Sequence, residues 1–266
     1  MSKKTIILID SGYYFFYRFH ATKIWFKKSH SGENIEDITE NEDFVNMFKK
    51  KIESTIVDLS KKFKCSTNDI IFACDGARNN LWRSNSEHIT DYKGTRKTVA
   101  GIGKMIKLGY ECLRNMNNKP KFVSCHDAEA DDIIAVLSKK INKEFPETEI
   151  KIITSDKDLE QLCNENINIH SLKNKFPISV LKFDPKVSLM IKIIGGDKSD
   201  NIPPIANRLG KNKILELSQS QEKLNEFLEN SNDEVKNRFN SNKKIIDLSL
   251  IPDDIQNKII NSYECI

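Results

Sequence analysis

Residues 5–10 read Thr5-Ile6-Ile7-Leu8-Ile9-Asp10, a short and mostly β-branched apolar run that ends at a carboxylate. Runs of the same kind lie at residues 70–74 and 150–154. Short apolar runs bounded by polar residues are typical of strands buried in a parallel sheet. The run at residues 5–10 therefore predicts the first strand of a mostly parallel central sheet.

Helical patterns separate these runs. Apolar residues recur at three- and four-residue spacing from Phe44 to Phe63, and Thr39 with Glu42 could supply the capping box of that helix. Another helix is expected to begin around Ala130. Alternating strands and helices predict an α/β fold in which helices cover both faces of the sheet.

The pattern changes near residues 183–184. Asp184 and Pro185 are suited to the N-cap and first position of a helix, and the sequence beyond them reads as helical. The Asn- and Ser-rich stretch 229–244 predicts a loop around a short helix. We expect an α/β domain over residues 1–184 and a smaller helical subdomain over residues 185–266.

Composition excludes several classes of protein. The chain has 266 residues, of which 38% are hydrophobic, enough for a packed core. No apolar run approaches the ~20 residues that cross a bilayer, and the N-terminus has no signal-peptide pattern. The six cysteines form no C-x-x-C pair, which argues against a structural zinc site or a disulfide scaffold. We expect a cytoplasmic protein without a membrane partner.

Carboxylates follow the predicted strands and helices in five groups. These are Asp10; Asp75; Glu129, Asp131 and Asp132; Asp156 and Asp158; and Asp197 and Asp200. Parallel strands bring their carboxyl ends to one edge of the sheet, where ligands bind in α/β folds. Carboxylates that are gathered in a cleft need cations to neutralise their charge. Two Mg²⁺ ions ~4 Å apart are the usual arrangement in enzymes that hydrolyse phosphodiesters. Mn²⁺ is expected to substitute. For any single aspartate the alternative is a cap or a turn residue.

A basic segment lies between Asp75 and Glu129. Residues 81–122 contain nine basic and three acidic side chains, an excess of +6, whereas the whole chain carries only +4. A cationic segment beside acid clusters could hold a polyanion close to bound metal ions. The alternative is a solvated helix face, which charge runs usually form.

The acids belong to longer motifs that occur in a fixed order. The motifs are Ile9-Asp10-Ser11; Asp75-Gly76 followed by Tyr92-Lys93-Gly94-Thr95-Arg96; Glu129-Ala130-Asp131-Asp132; residues 154–162; and residues 196–203. Together they resemble the 5′-nuclease superfamily of flap endonucleases, polymerase 5′-exonuclease domains and phage 5′-exonucleases. Within it, the size and the C-terminal sequence look most like the phage-type ribonuclease H.

This resemblance implies a PIN-like α/β nuclease domain, a basic helical arch over about residues 81–122, and a duplex-binding subdomain that is similar to a helix–hairpin–helix. The implied activity is two-metal 5′→3′ exonuclease and flap endonuclease cleavage, including removal of RNA primers during DNA replication or repair. The implied substrates are DNA and RNA–DNA with 5′ ends, flaps or nicks. Candidate protein partners are a single-strand-binding protein and a sliding clamp, and the chain is expected to be a monomer.

The resemblance also assigns roles to individual residues. It gives the first metal ion to Asp10, Asp75, Glu129 and Asp131, with Asp132 close by, and the second to Asp156, Asp158, Asp197 and Asp200. Lys93 would neutralise the scissile phosphate, and Arg96 would grip a neighbouring one. Tyr92 either stacks on a base or packs as a half-buried residue.

Further basic residues are candidates for nucleic-acid contacts. Lys97, Lys104 and Lys107 lie in the arch segment, and Arg208, Lys211 and Lys213 lie where the family has a glycine-rich hairpin. Of the glycines of that hairpin only Gly210 remains, so a monovalent-ion site is not expected. The four glycines of the arch segment, Gly94, Gly101, Gly103 and Gly109, would make it mobile.

Other functions are excluded or left open by particular positions. An aspartyl phosphatase needs an acid where Gly12 stands, and residues 98–105 fail the P-loop pattern at both ends. Residues 221–228 loosely resemble a sliding-clamp peptide, although their spacing favours core packing. A PIN-type endoribonuclease and an inactive nucleic-acid-binding relative remain as alternatives.

Overall fold

The computed structural model describes residues 3–30, 37–77, 80–83, 92–93, 99–173, 176 and 178–266. Its centre is a five-stranded sheet in the order β3-β2-β1-β4-β5, in which every adjacent pair is parallel. The strands are β1 (Thr5–Asp10), β2 (Ile70–Cys74), β3 (Lys121–Ser124), β4 (Glu149–Ile153) and β5 (Ile167–His170). This confirms the predicted α/β class and the three inner strands. The sequence analysis missed β3 and β5, which are only four residues long and include polar residues.

Three helices cover one face of the sheet: α1 (Ser11–Ser29), α2 (Glu42–Phe63) and α3 (Ile102–Arg114). Helix α1 was not predicted, and its aromatic residues Phe15 and Phe19 are buried against the sheet. Helix α2 is capped by Asn41, whose side chain accepts the Phe44 amide at 3.0 Å. The predicted capping box at Thr39 is wrong, because Thr39 lies in a separate 3₁₀ turn, Ile38–Glu40.

The predicted arch segment is partly a core element. Helix α3 buries Met105 and Leu113 between α1 and α2. A Cβ on Gly109 would lie 2.5 Å from the Phe15 ring, so this glycine permits close packing. Residues 102–114 are thus a packed helix, and the predicted mobility of the segment stays a prediction. Residues 84–91 and 94–98, including Gly94, lie outside the described part of the chain.

The opposite face of the sheet is covered by α4 (Ala130–Glu144) and by the last helix, α9 (Asp253–Glu264). Helix α9 buries Ile255 and Ile259 in the same apolar cluster as Ile133 and Leu137 of α4. The chain therefore returns to the sheet after the helical part. The division at residues 184–185 stays a prediction, with residues 248–264 packed on the α/β side.

The four intervening helices form a small helical cluster: α5 (Pro185–Gly195), α6 (Lys211–Gln219), α7 (Gln221–Glu229) and α8 (Asp233–Ile246). Helix α5 begins as predicted, with the Asp184 side chain accepting the Lys186 amide at 2.9 Å. Buried Leu224 supports core packing of α7. The predicted loop at 229–244 is wrong, because most of it is α8, capped by Asn232. None of the helices in the described ranges is both long and apolar enough to cross a membrane.

Candidate active site

The carboxyl edge of the sheet opens into a cavity of about 880 Å³. Asp10 ends β1, Asp75 follows β2 directly, and Asp156 lies three residues beyond β4. All three line the cavity, together with Glu129 and Asp131 from the start of α4. Strand order places β1 between β2 and β4, so the parallel sheet itself brings these acids together.

Backbone and hydroxyl groups fix the first carboxylates. Asp10 accepts the Tyr13 amide and the Thr154 hydroxyl, each at 3.0 Å. Asp75 accepts the Ala130 amide at the N-terminus of α4, at 2.9 Å. Helix N-termini carry partial positive charge, so both acids are held where the backbone favours an anion.

The same acids also repel one another. Burial, with the charges of Asp75 and Asp156, outweighs the hydrogen bonds to Asp10 and raises its pKa to about 6. Burial and the charges of Asp156 and Asp10 raise the pKa of Asp131 well above its ordinary value. We name Asp10, Asp75, Asp131 and Asp156 the first acid group. The resemblance assigns Asp156 to the second ion, yet Asp156 lines the same cavity as the other three acids; its assignment to either ion stays a prediction. A cation among them would remove this electrostatic cost.

A glycine lies beside two of these acids. A Cβ at position 12 would lie 3.3 Å from Asp75 Oδ2 and 3.4 Å from Asp10 Oδ1, so Gly12 leaves room beside both carboxylates. Across the described residues, no three His, Cys, Asp or Glu side chains converge as a ready-made ligand set. Mg²⁺ tolerates this, because it keeps several waters and takes only one or two carboxylates directly.

Glu129 is paired with the protein's own cations. Its carboxylate lies 2.6 Å from Lys93 Nζ and 3.3 Å from Arg83 Nη1, and it accepts the Tyr92 hydroxyl at 2.9 Å. Burial opposes ionisation, but the Lys93 and Arg83 charges hold the pKa of Glu129 below its ordinary value. Lys93 also lies 3.6 Å from Asp200. The lysine thus links two of the acid groups.

Asp132 does not line the cavity. Its side chain is fully buried and accepts the Glu129 amide at 3.0 Å, the Trp82 indole at 3.0 Å and the Arg83 guanidinium at 2.7 Å. These bonds occupy the carboxylate behind the site. Asp132 was expected to lie with the metal ligands, but the structure places it behind the cavity. There its contacts position Glu129 and Arg83.

A second acid group consists of Asp158, Asp197 and Asp200. Asp197 accepts the amide and hydroxyl of Ser199 at 2.8 and 2.6 Å and lies 3.0 Å from Lys192 Nζ. Lys192 also contacts Asp158. Neither Lys192 nor Arg83 was singled out from the sequence, because each lies outside the acid motifs. Asp197 lies five positions after Lys192, across a helix end, and this spacing gives no periodic signal.

Comparison with protein families identifies the chain. Residues 5–187 match the family model described as 5′-3′ exonuclease, N-terminal resolvase-like domain. The chain belongs to the 5′-3′ exonuclease family. The match covers both the sheet and the predicted acid motifs up to Asp158.

Named relatives of this 5′-3′ exonuclease family member include bacterial and phage proteins. The chain is 30% identical over 199 residues to the 5′-3′ exonuclease of Mycoplasmopsis pulmonis, covering 71% of this chain and 65% of that protein. It is 32% identical over 151 residues to the ribonuclease H of Enterobacteria phage T4, covering 51% and 48%. The chain thus spans about half to two thirds of the length of these relatives.

Solved structures extend the fold match to the whole chain. The D15 protein of bacteriophage T5, co-crystallised with metal ions, superposes with a TM-score of 0.67 over 98% of this chain and 99% of that one, at 16% identity. The T5 flap endonuclease in a complex with DNA and metal ions gives a TM-score of 0.68 at 16% identity, covering 98% of each chain. At this identity the likeness shows that the 5′-3′ exonuclease family member shares their fold.

Tyr92 of this 5′-3′ exonuclease family member is half-buried and faces inward. Its hydroxyl donates to Glu129, and its ring packs against the cluster that contains Ile202 and Ile245. Burial and the Glu129 charge raise the pKa of Tyr92, which keeps the hydroxyl protonated as a donor. These contacts favour the packing alternative for Tyr92 over base stacking.

The remaining basic candidates lie on the surface or outside the described residues. Lys104 is exposed and pairs with Glu40 at 2.5 Å, and Lys213 pairs with Glu216 at 3.2 Å. Three others, Lys107, Arg208 and Lys211, are exposed. Arg96 and Lys97 lie outside the described part of the chain. Contacts of any of these residues with nucleic acid stay predictions.

Proposed function

We propose that the chain is a divalent-metal-dependent, structure-specific 5′-nuclease that hydrolyses phosphodiesters in DNA and in RNA–DNA near 5′ ends, flaps and nicks. One observation carries the proposal: acids from β1, β2, α4 and the loop after β4 converge on one cavity at the carboxyl edge of the sheet. Membership of the 5′-3′ exonuclease family supports it.

Two acid groups offer places for two ions. The first acid group would hold one ion, and Asp158, Asp197 and Asp200 would hold another. Two Mg²⁺ ions would supply activation of a water and stabilisation of the leaving oxygen. Backbone amides and neighbouring side chains fix the carboxylates of Asp10, Asp75 and Asp197, so these groups would hold the ions in defined positions.

We propose that Lys93 meets the scissile phosphate. Its side chain is 11% exposed, lines the cavity and contacts both Glu129 and Asp200. Burial favours the neutral amine, but the charges of Glu129 and Asp200 prevail and raise the pKa of Lys93. The ammonium is therefore charged at neutral pH and would stabilise negative charge on a bound phosphate.

The names of the relatives support a particular range of substrates. A 5′-3′ exonuclease and a phage ribonuclease H are among them, and a flap endonuclease shares the fold. We propose removal of RNA primers and of displaced 5′ strands during DNA replication or repair, by a cytoplasmic monomer. A single-strand-binding protein and a sliding clamp are the proposed protein partners.

A cleavage assay tests the proposal. A 5′-labelled flap, a nicked duplex and an RNA–DNA hybrid are incubated with Mg²⁺ and, separately, with EDTA. We expect products cut near the 5′ end with Mg²⁺ and intact substrate with EDTA. Asp131→Asn should abolish cleavage while the bound fraction of flap DNA, measured by anisotropy, stays close to that of the unmodified chain.

The assay also separates the alternatives. Cleavage of single-stranded RNA at internal positions, without dependence on a 5′ end or a junction, would point to a PIN-type endoribonuclease. Binding without cleavage on all three substrates would point to an inactive relative. Unchanged turnover in Asp131→Asn would show that the proposed active site is wrong.

A further inference from the structure

Lys192 lies between two carboxylates of the second acid group. Its Nζ is 3.0 Å from Asp197 Oδ2, and it contacts Asp158 on the other side. The lysine side chain is 26% exposed, and the two acids are 21% and 14% exposed. A half-buried ammonium that touches two carboxylates occupies the kind of position that a bridging cation takes.

The fold builds this position from two parts of the chain. Lys192 lies in the last turn of α5, where the helix dipole favours a cation. The chain then reverses at Gly196, which has a φ of 71° and would place a Cβ 2.4 Å from the Ile202 carbonyl. Asp197 and Ile202 exchange backbone hydrogen bonds of 2.9 and 2.7 Å, which hold Asp197 beneath α5.

Asp158 completes the position from the α/β side. It begins the 3₁₀ helix Asp158–Leu162, and its backbone amide is bound to Asp156 at 2.9 Å. Lys192 thus joins the loop after β4 to the end of α5. A divalent ion at the same place could make the same connection with two charges instead of one.

The first acid group has a different balance of charge. Among the residues that the structure describes, no lysine or arginine forms an ion pair with Asp10, Asp131 or Asp156. An incoming cation therefore meets a resident ammonium at Asp158 and Asp197, and no such ion pair at Asp10, Asp131 or Asp156 within the described residues.

We propose that Lys192 is a built-in competitor of the divalent ion at the second acid group, so that an ion binds there only by displacing the Lys192 ammonium. The inference rests on the proposed function, since it takes Asp158 and Asp197 as places for an ion. It gives the two ions unequal affinities, with the tighter ion at the first acid group. The displaced ammonium stays beside the cavity that Lys192 lines, where a bound phosphate would attract it.

Calorimetric titration with Mn²⁺, without nucleic acid, measures the two affinities. The unmodified chain should bind one ion tightly and another weakly. Lys192→Met should tighten the weak site about tenfold, because one unit charge leaves a partly shielded site. Lys192→Arg keeps a cation and should keep the weak site. Lys157→Met is the matched control: Lys157 lines the same cavity but forms no ion pair in the described residues.

The outcomes separate this inference from the proposed function. An unchanged or lost weak site in Lys192→Met, or an equal gain in Lys157→Met, would overturn the competition. A single ion in the unmodified chain and two in Lys192→Met would support it in its strongest form. No Mn²⁺ binding by any of the chains would overturn the proposed function itself.

A second measurement needs only the unmodified chain. Brief acetylation followed by peptide mass spectrometry reports the reactivity of each lysine. Saturating Mn²⁺ should increase acetylation of Lys192 several-fold, because the amine leaves its carboxylates, and should leave Lys157 unchanged. Equal or lower acetylation of Lys192 with Mn²⁺ would contradict displacement.

Discussion

The guanidinium of Arg83 is forked onto both carboxylate oxygens of Asp132, with distances of 2.7 Å for Nη1–Oδ2 and 2.7 Å for Nη2–Oδ1. The side chains are 4% and 0% exposed. Arg83 also donates from Nε to the Ile245 carbonyl at 2.9 Å and reaches Glu129. One buried ion pair therefore supports an acid of the cavity from behind and connects it to the end of α8.

Asp132→Ala should destabilise the protein by about 3–5 kcal/mol, because it leaves the Arg83 charge buried without its main partner. The change also removes the acceptor of the Glu129 amide. Urea unfolding followed by circular dichroism measures the loss. The control is Asp254→Ala, an exposed acid 3.9 Å from Lys258, where we expect less than ~1 kcal/mol. Equal effects in the two variants would contradict the role given to Asp132.

The raised pKa of Asp10 should make the stability of the protein depend on pH. Its pKa rises from an ordinary value of 3.8 to about 6 in the folded protein. Between these values the folded state binds more protons than the unfolded state, so this contribution to stability falls as pH rises. The full loss is at most about 3 kcal/mol. Unfolding in EDTA at pH 4.5 and at about pH 7 measures most of this loss.

Asp10→Asn is the control for that pH series, because an amide does not titrate in this range. The difference in unfolding free energy between the unmodified chain and Asp10→Asn should shift in favour of the variant as pH rises. Added Mg²⁺ should shrink that shift, since a cation offsets the repulsion among the acids. A pH-independent difference would count against a raised pKa for Asp10.

Gly109→Ala tests whether α3 is a core helix. The new Cβ would lie 2.5 Å from the Phe15 ring, so we expect a loss of ~1–3 kcal/mol from overpacking. Gly103 is in the same helix, and nothing lies within 4 Å of its Cβ position. Gly103→Ala should therefore be neutral or stabilising by up to ~1 kcal/mol. The melting temperature of Gly109→Ala should fall, whereas that of Gly103→Ala should stay the same or rise. A neutral Gly109→Ala would mean that α3 is loosely packed.

Strands β1 and β2 could be predicted from the sequence because both are short, continuous apolar runs, whereas β4 carries Glu149 and Lys151 among its isoleucines. β1 and β2 have no charged residue before their ends, and burial on both faces leaves that pattern unbroken. β3 and β5 were not predicted because each has only four residues, some of them polar. Such short segments do not distinguish the two-residue period of a strand from the 3.6-residue period of a helix. Helix α8 escaped because Asn and Ser usually indicate loops, although here tertiary packing of Ile245 and Ile246 stabilises a helix.

Asp10, Asp75 and Asp156 were predictable because each follows a strand whose end could be located. What the sequence could not give was the partner of each acid. Asp131 and Asp132 are adjacent, yet Asp131 lines the cavity and Asp132 lies behind it, since consecutive helical residues point in different directions. Arg83 and Lys192 reach their acids across 49 and 34 residues of sequence, and such contacts leave no local pattern.

Lys93→Ala should slow chemistry more than it weakens binding. The ammonium lies 2.6 Å from Glu129 and faces the cavity, so it is placed to stabilise charge that develops on a phosphate. Removing one such donor typically costs about 10²–10³ in rate. Single-turnover cleavage of a 5′ flap at saturating enzyme gives the rate, and anisotropy in EDTA gives the affinity.

Lys104→Ala is the control, since Lys104 is exposed and pairs with Glu40. This variant should bind DNA slightly more weakly, with a larger effect at low salt, and its rate at saturating enzyme should be unchanged. If Lys93→Ala lost affinity and rate by the same factor, Lys93 would be a binding residue only.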